Sequence, residues 1–181
     1  VAAANGKKIK ISFTGGEPFV HPQFIDMLKY ARENGVYRCS VTTNGSPPPK
    51  IYKKALPYLH YVVISYHFEF AYHDKVINNI TGMWKEILEY RAKDQYKGMH
   101  VHIMALPGKM KECLEIINEL KEYGVEYTIR KIRPRVNMTR TGWNKPHADG
   151  MEGIHPTHKE TEKFAGQYYS PEEEEWLSNN V

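Results

Sequence analysis

Five short runs rich in β-branched and aromatic residues recur along the chain, with longer amphipathic runs between them. The strand-like runs are KIKISF (8–13), YRCSVTT (37–43), HYVVISY (60–66), MHVHIMA (99–105) and EYTIRKI (126–132). The helix-like runs cover 22–34, 49–57, 74–94 and 109–123. Two of these end in ARENGV and LKEYGV, which put Gly35 and Gly124 where a left-handed cap is wanted, and a strand follows at once. Strands separated by helical crossovers pair in parallel. The order therefore predicts an α/β fold with a parallel sheet and outer helices, as a barrel, a partial barrel or a doubly wound sheet.

Alternation within the strands separates two faces. Ile9, Ile11 and Phe13 share one face of the first strand, and Lys8, Lys10, Ser12 and Thr14 share the other. In the fourth, Val101 and Ile103 oppose His100 and His102. Helices need the apolar face, so the polar set is expected to line an interior, as at a ligand site.

A chain of 181 residues has room for one domain with a real core. Its net charge of +4 is spread rather than clustered, which gives nucleic acid only weak support as a partner and would also suit a small anionic ligand. No apolar run approaches the roughly 20 residues of a membrane span. The start, VAAANGKKIK, has neither an initiator Met nor a signal-peptide core, and the expectation is a cut chain from a cytoplasmic protein. Two lone cysteines, Cys39 and Cys113, supply neither a disulfide framework nor a four-cysteine metal site. After Arg133 the periodicity dissolves into a stretch rich in Gly, Pro, His and Lys, expected to be a functional loop or a linker. It ends in YYSPEEEEW, where Ser170 as N-cap, Pro171 and Glu172 to Glu174 predict a helix start.

Polar residues gather where the strands end: TGGEP, TTNGS, SYHFE, the region from His102 to LPGK, and RKIRPR. In parallel α/β architectures the carboxyl ends of the strands form the active face. Gly15 and Gly16 permit close backbone approach, Pro18 fixes the chain leaving the turn, and Glu17 is presented as an acceptor suited to an ammonium group. Chance delivers GGEP about once in several hundred chains of this length.

FTGGEP, followed one helix later by VTTNGS and then by VVISYH, resembles the radical S-adenosylmethionine (SAM) superfamily. The resemblance implies a partial (β/α)6 barrel, of which this chain carries strands two to six. It implies that Glu17 and the Gly16 backbone hold the amino group of SAM, with Gly15 also among the SAM-binding residues. Thr42 and Asn44 at the third strand end, Ser65 at the fourth, and His102 and Arg133 at the fifth and sixth would contact SAM or substrate. It also implies a four-iron, four-sulfur (4Fe-4S) cluster held by a CxxxCxxC loop after the first strand, which this chain does not contain. Reduction of that cluster cleaves SAM to a 5′-deoxyadenosyl radical. A small-molecule or peptide substrate and an electron donor such as flavodoxin or ferredoxin complete the expectation. The chain divides accordingly into a barrel at 1–135 lacking its first strand, an irregular loop or linker at 136–169, and a helix from 170 leading to a further module.

Two other readings stand beside this one. His100 and His102 on one strand face, with His67 and with Glu69 and His73 nearby, could hold a zinc or iron ion in a mononuclear hydrolase. A fragment that binds SAM or a nucleotide without catalysis would also fit.

Overall fold

The computed structural model describes residues 7–68, 73–93, 95, 97–131 and 169–181. Its centre is one parallel sheet of β1 (Lys10–Phe13), β2 (Arg38–Thr43), β3 (Tyr61–His67), β4 (Gly98–Ala105) and β5 (Tyr127–Lys131), hydrogen-bonded in sequential order. The crossovers carry α1 (Phe24–Glu33), α2 (Pro49–Ala55), α3 (His73–Arg91) and α4 (Met110–Glu122), and α5 (Pro171–Asn180) follows later. All five strands and four crossover helices fall where alternation and amphipathic spacing predict them, with ends displaced by up to three residues.

The two faces of the sheet differ sharply. Cys39 and Val41 of β2, Val62, Ile64 and Tyr66 of β3, Met99, Val101 and Ile103 of β4, and Ile129 of β5 belong to one buried cluster. That cluster also takes Leu28 from α1, Tyr52 from α2, Ile80, Met83 and Ile87 from α3, and Leu120 from α4. Burying each such apolar side chain is worth about 1.5–3 kcal/mol, so the helix-side face carries the stability. The opposite face presents Ser12, Ser40, Thr42, Ser65, His100, His102 and Thr128, none of them fully buried. A doubly wound sheet reverses its strand order and packs helices on both faces. Sequential order with one core face is the arrangement of a partial barrel, and it leaves the polar face inside the curve.

Lys97, just before β4, is the charged exception within the core among the described residues, at 6% exposure. Its Nζ donates to the carbonyl oxygens of Leu56 at 2.7 Å, Pro57 at 3.3 Å and Leu59 at 2.5 Å, where α2 ends. A cation at a helix C-terminus meets the negative end of the helix dipole. Burial first, then the charge of Arg32, pushes its pKa down to about 8, so the ammonium prevails at neutral pH. The folded chain releases this proton before the unfolded chain does, so Lys97's contribution to stability rises as pH climbs from about 8 towards its ordinary value. Lys97→Met leaves three carbonyls without their donor and is expected to cost about 1–3 kcal/mol in urea unfolding at pH 7. An unchanged midpoint would mean that water replaces the ammonium at no cost.

The terminal helix begins as its sequence predicts. Ser170 caps it, and Glu173 returns the bond to the Ser170 amide in a full capping box. The helix lies against the carboxyl ends of β4 and β5: Tyr169 donates its hydroxyl to the Ala105 carbonyl at 2.7 Å, and Glu173 accepts from Gly108 N–H at 2.8 Å. Lys131 pairs with Glu174, and Leu177 is buried.

Candidate ligand site at the strand ends

β1 ends at Phe13, and the chain turns through Thr14, Gly15 and Gly16 into Glu17. Gly15 and Gly16 have φ of 98° and 53°, in the left-handed region that glycine adopts without strain. A Cβ on either would meet nothing within 4 Å. Conformation, not crowding, demands these glycines, and the backbone of the turn stands open to a ligand.

Glu17 is where three donors converge. Its Oε1 accepts from Phe19 N–H at 3.1 Å, which caps the short 3-10 turn Pro18–Val20. The Thr43 hydroxyl lies 2.9 Å from each carboxylate oxygen, and Asn44 N–H donates to Oε2 at 2.7 Å. Thr43 is only 1% exposed, and its hydroxyl also lies 3.3 Å from the Tyr52 hydroxyl and accepts from Gly45 N–H at 3.3 Å. Burial above all raises the pKa of Tyr52 and keeps that hydroxyl neutral. The acid at the strand mouth therefore straps the end of β1 to the end of β2. Alternation explains why Thr43 and not Thr42 does this: Thr42 is half-buried on the polar face, whereas Thr43 points to the helix side.

A second polar group lies across β3, β4 and β5. Ser65 opposes His102, and His102 opposes Thr128. His102 Nε2 accepts from Arg130 Nη2 at 3.2 Å, while His100 Nε2 lies 2.6 Å from Thr128 Oγ1 and its Nδ1 lies 4.0 Å from Glu126. Burial, then the charges of Arg130 and His100, lower the His102 pKa and leave a neutral ring that accepts through Nε2. Thr128 was not singled out in the sequence, since one threonine in an alternating strand carries no signal of its own, and Arg130 stood there only as the first residue of the strand-end stretch RKIRPR.

The structure thus gathers Gly15, Gly16, Glu17 and Asn44 at one rim and Ser65 with His102 further along the same face, with Thr42 on the strand between. Arg133 and Glu69 lie outside the described residues. Among the described residues no group of three His, Cys, Asp or Glu is placed to hold a metal ion, and His100 and His102 are taken up by Thr128 and Arg130. Cys39 on β2 and Cys113 on α4 are both fully buried. Burial raises the Cys39 thiol and pushes Cys113 up to about 11, so both stay protonated. The described residues do not fit a 4Fe-4S cluster, which needs exposed thiolates in a group.

Fold and site together define a partial α/β barrel with its polar site at the carboxyl ends of the strands. Residues 1–129 match the radical SAM superfamily, and the chain belongs to it. Among solved structures, SuiB of Streptococcus suis bound to S-adenosylmethionine is similar over 75% of this chain and 32% of its own, at 14% identity and a TM-score of 0.52. Archaeal TYW1 is similar over 69% of this chain and 43% of its own, at 15% identity and a TM-score of 0.49. A domain of pyruvate-formate lyase-activating enzyme from Bacteroides vulgatus is similar over 66% of this chain and 98% of its own, at 19% identity and a TM-score of 0.39. The chain spans less than half the length of SuiB and of TYW1. No curated protein matches it.

Proposed function

We propose that this chain is the S-adenosylmethionine-binding part of a radical SAM enzyme. The observation that carries this reading is the superfamily match over residues 1–129 with the open Gly15–Gly16–Glu17 turn at the carboxyl ends of its strands. The residues present fit an amino-acid-bearing ligand. Backbone carbonyls of an open glycine turn accept from an ammonium, and the Glu17 carboxylate beside them supplies the complementary charge. Asn44 at the β2 end, Thr42 and Ser65 on the polar face, neutral His102 and Arg133 supply further hydrogen-bonding groups to the ligand or the substrate. In this superfamily SAM, on reductive cleavage, supplies a 5′-deoxyadenosyl radical. In this superfamily a 4Fe-4S cluster delivers the electron for that cleavage, and the described residues offer no group of thiolates to hold one. A small-molecule or peptide substrate, and an electron donor such as flavodoxin or ferredoxin, belong to this reading as proposals.

The test is titration calorimetry of the chain with S-adenosylmethionine. Saturable binding at one site, weakened when Gly16 is replaced by valine, is expected. Absence of binding up to millimolar ligand overturns the reading.

A further inference from the structure

The loop that follows β2 is held from a direction that the GGEP turn does not explain. Asn79 on α3 is 4% exposed and sits within the apolar stripe Val76, Ile80, Met83. Its Nδ2 donates to the Gly45 carbonyl at 3.0 Å and to the Ser46 carbonyl at 3.2 Å. From the other side, Glu17 accepts from Asn44 N–H and the Thr43 hydroxyl. Between these holds Gly45 adopts φ 77°, with Ile64 and Val76 so near that a Cβ would lie 3.2 Å and 2.9 Å from their methyl groups. A polar side chain in a buried apolar stripe is costly unless satisfied, and both of its hydrogens go to this one loop.

The consequence falls on Asn44. Its backbone N–H is committed to Glu17, and its Oδ1 accepts from Ser46 N–H at 2.9 Å. Among the described residues nothing accepts from its Nδ2. We propose that Asn79 is a positioning residue of the ligand site. With Glu17 it clamps residues 43–46 from opposite sides, so that Asn44 is left with one function, donating its Nδ2 hydrogens to an acceptor on the bound ligand, a carboxylate or hydroxyl oxygen. This rests on the reading of the site as one for S-adenosylmethionine. Preorganising the donor removes an ordering cost that binding would otherwise carry.

Asn79→Asp keeps the shape and replaces the donor with an oxygen facing two carbonyls. In the chain without ligand, amide hydrogen exchange at Asn44 and Ser46 is expected to speed up by about tenfold or more, while Val41 and Ile64 in the sheet stay protected. S-adenosylmethionine affinity by calorimetry is expected to fall about tenfold. Saturating ligand should restore more protection at those two amides in the variant than in wild type, a coupling that a merely structural residue would not produce. Loop amides that stay slow in the variant, or fast loop amides with wild-type affinity, overturn the assignment. If Asn79→Asp does not fold, the opposite clamp carries the test: Thr43→Val should loosen the loop and weaken binding, Thr43→Ser should restore both, and equal behaviour of the two overturns it. A wild-type chain that binds no S-adenosylmethionine overturns the functional reading and this assignment together. Wild-type binding that both Asn79→Asp and Thr43→Val leave unchanged overturns this assignment alone.

Discussion

Glu17→Gln is expected to weaken S-adenosylmethionine binding by about 1.5–3 kcal/mol, roughly ten- to a hundredfold, although glutamine matches glutamate in size. Every partner of the carboxylate is a donor: Phe19 N–H, Asn44 N–H and the Thr43 hydroxyl. Whichever way the new amide turns, its NH2 faces a backbone N–H that has just lost its acceptor. If it faces Asn44, the strap between β1 and β2 opens and the loop carrying the Asn44 carboxamide loosens. If it faces Phe19, the cap of the 3-10 turn is lost instead. In both cases the negative charge beside the glycine turn disappears, and with it the complement to an ammonium. Calorimetry of the variant and the wild-type chain checks this, with thermal unfolding alongside to separate binding from stability. Affinity within twofold of wild type would remove Glu17 from the site.

The largest loss of stability is expected from Gly45→Ala. Alanine at φ 77° costs about 1–2 kcal/mol for the left-handed backbone. Its Cβ would approach a Val76 methyl to 2.9 Å and an Ile64 methyl to 3.2 Å. Ile64 is fully buried on β3 and Val76 nearly so on α3, so neither can swing into solvent. Overpacking of that kind costs about 1–3 kcal/mol more. Together the two effects predict about 2–5 kcal/mol in urea unfolding. Gly15→Ala is the control, since its Cβ meets nothing within 4 Å and only the backbone cost applies. Equal losses at the two positions would show that the close approach at Gly45 relaxes freely.

Much of the molecule is legible along the chain because its signals are local. Alternation in the first and fourth strands predicted which side chains face the helices: Val101 and Ile103 are buried there, and Ile11 and Phe13 pack half-buried against the same core. The spacing of Ser170, Pro171 and Glu172 to Glu174 predicted the last helix, and Ser170 and Glu173 form its capping box. The turn at Gly15 and Gly16 was legible for the same reason, since two adjacent glycines at a strand end call for backbone that other residues avoid.

The residues that hold the site were not legible in this way. Asn79 follows Glu17 by 62 positions, and only folding brings both to the loop after β2. A polar residue in the apolar stripe of α3 was the available signal, but stripe position says nothing of which carbonyls it meets. Thr42 and Thr43 differ by one residue and therefore by one face, and which face Glu17 reaches depends on how the turn after β1 folds. His102 and Arg130 became partners only when β4 and β5 paired in one register, since a slip of one residue would send Arg130 to the other face.

The sequence by itself determined the α/β order, the buried face of the sheet, the caps and the open glycine turn, because each depends on neighbours a few residues apart. Tertiary structure alone decided that Glu17 straps β1 to the β2 loop, that Asn79 holds that loop from behind, and that the Asn44 Nδ2 has no acceptor among the described residues. Those arrangements depend on strand register and helix placement, and hydrogen bonds reaching across the sheet have no counterpart in local spacing.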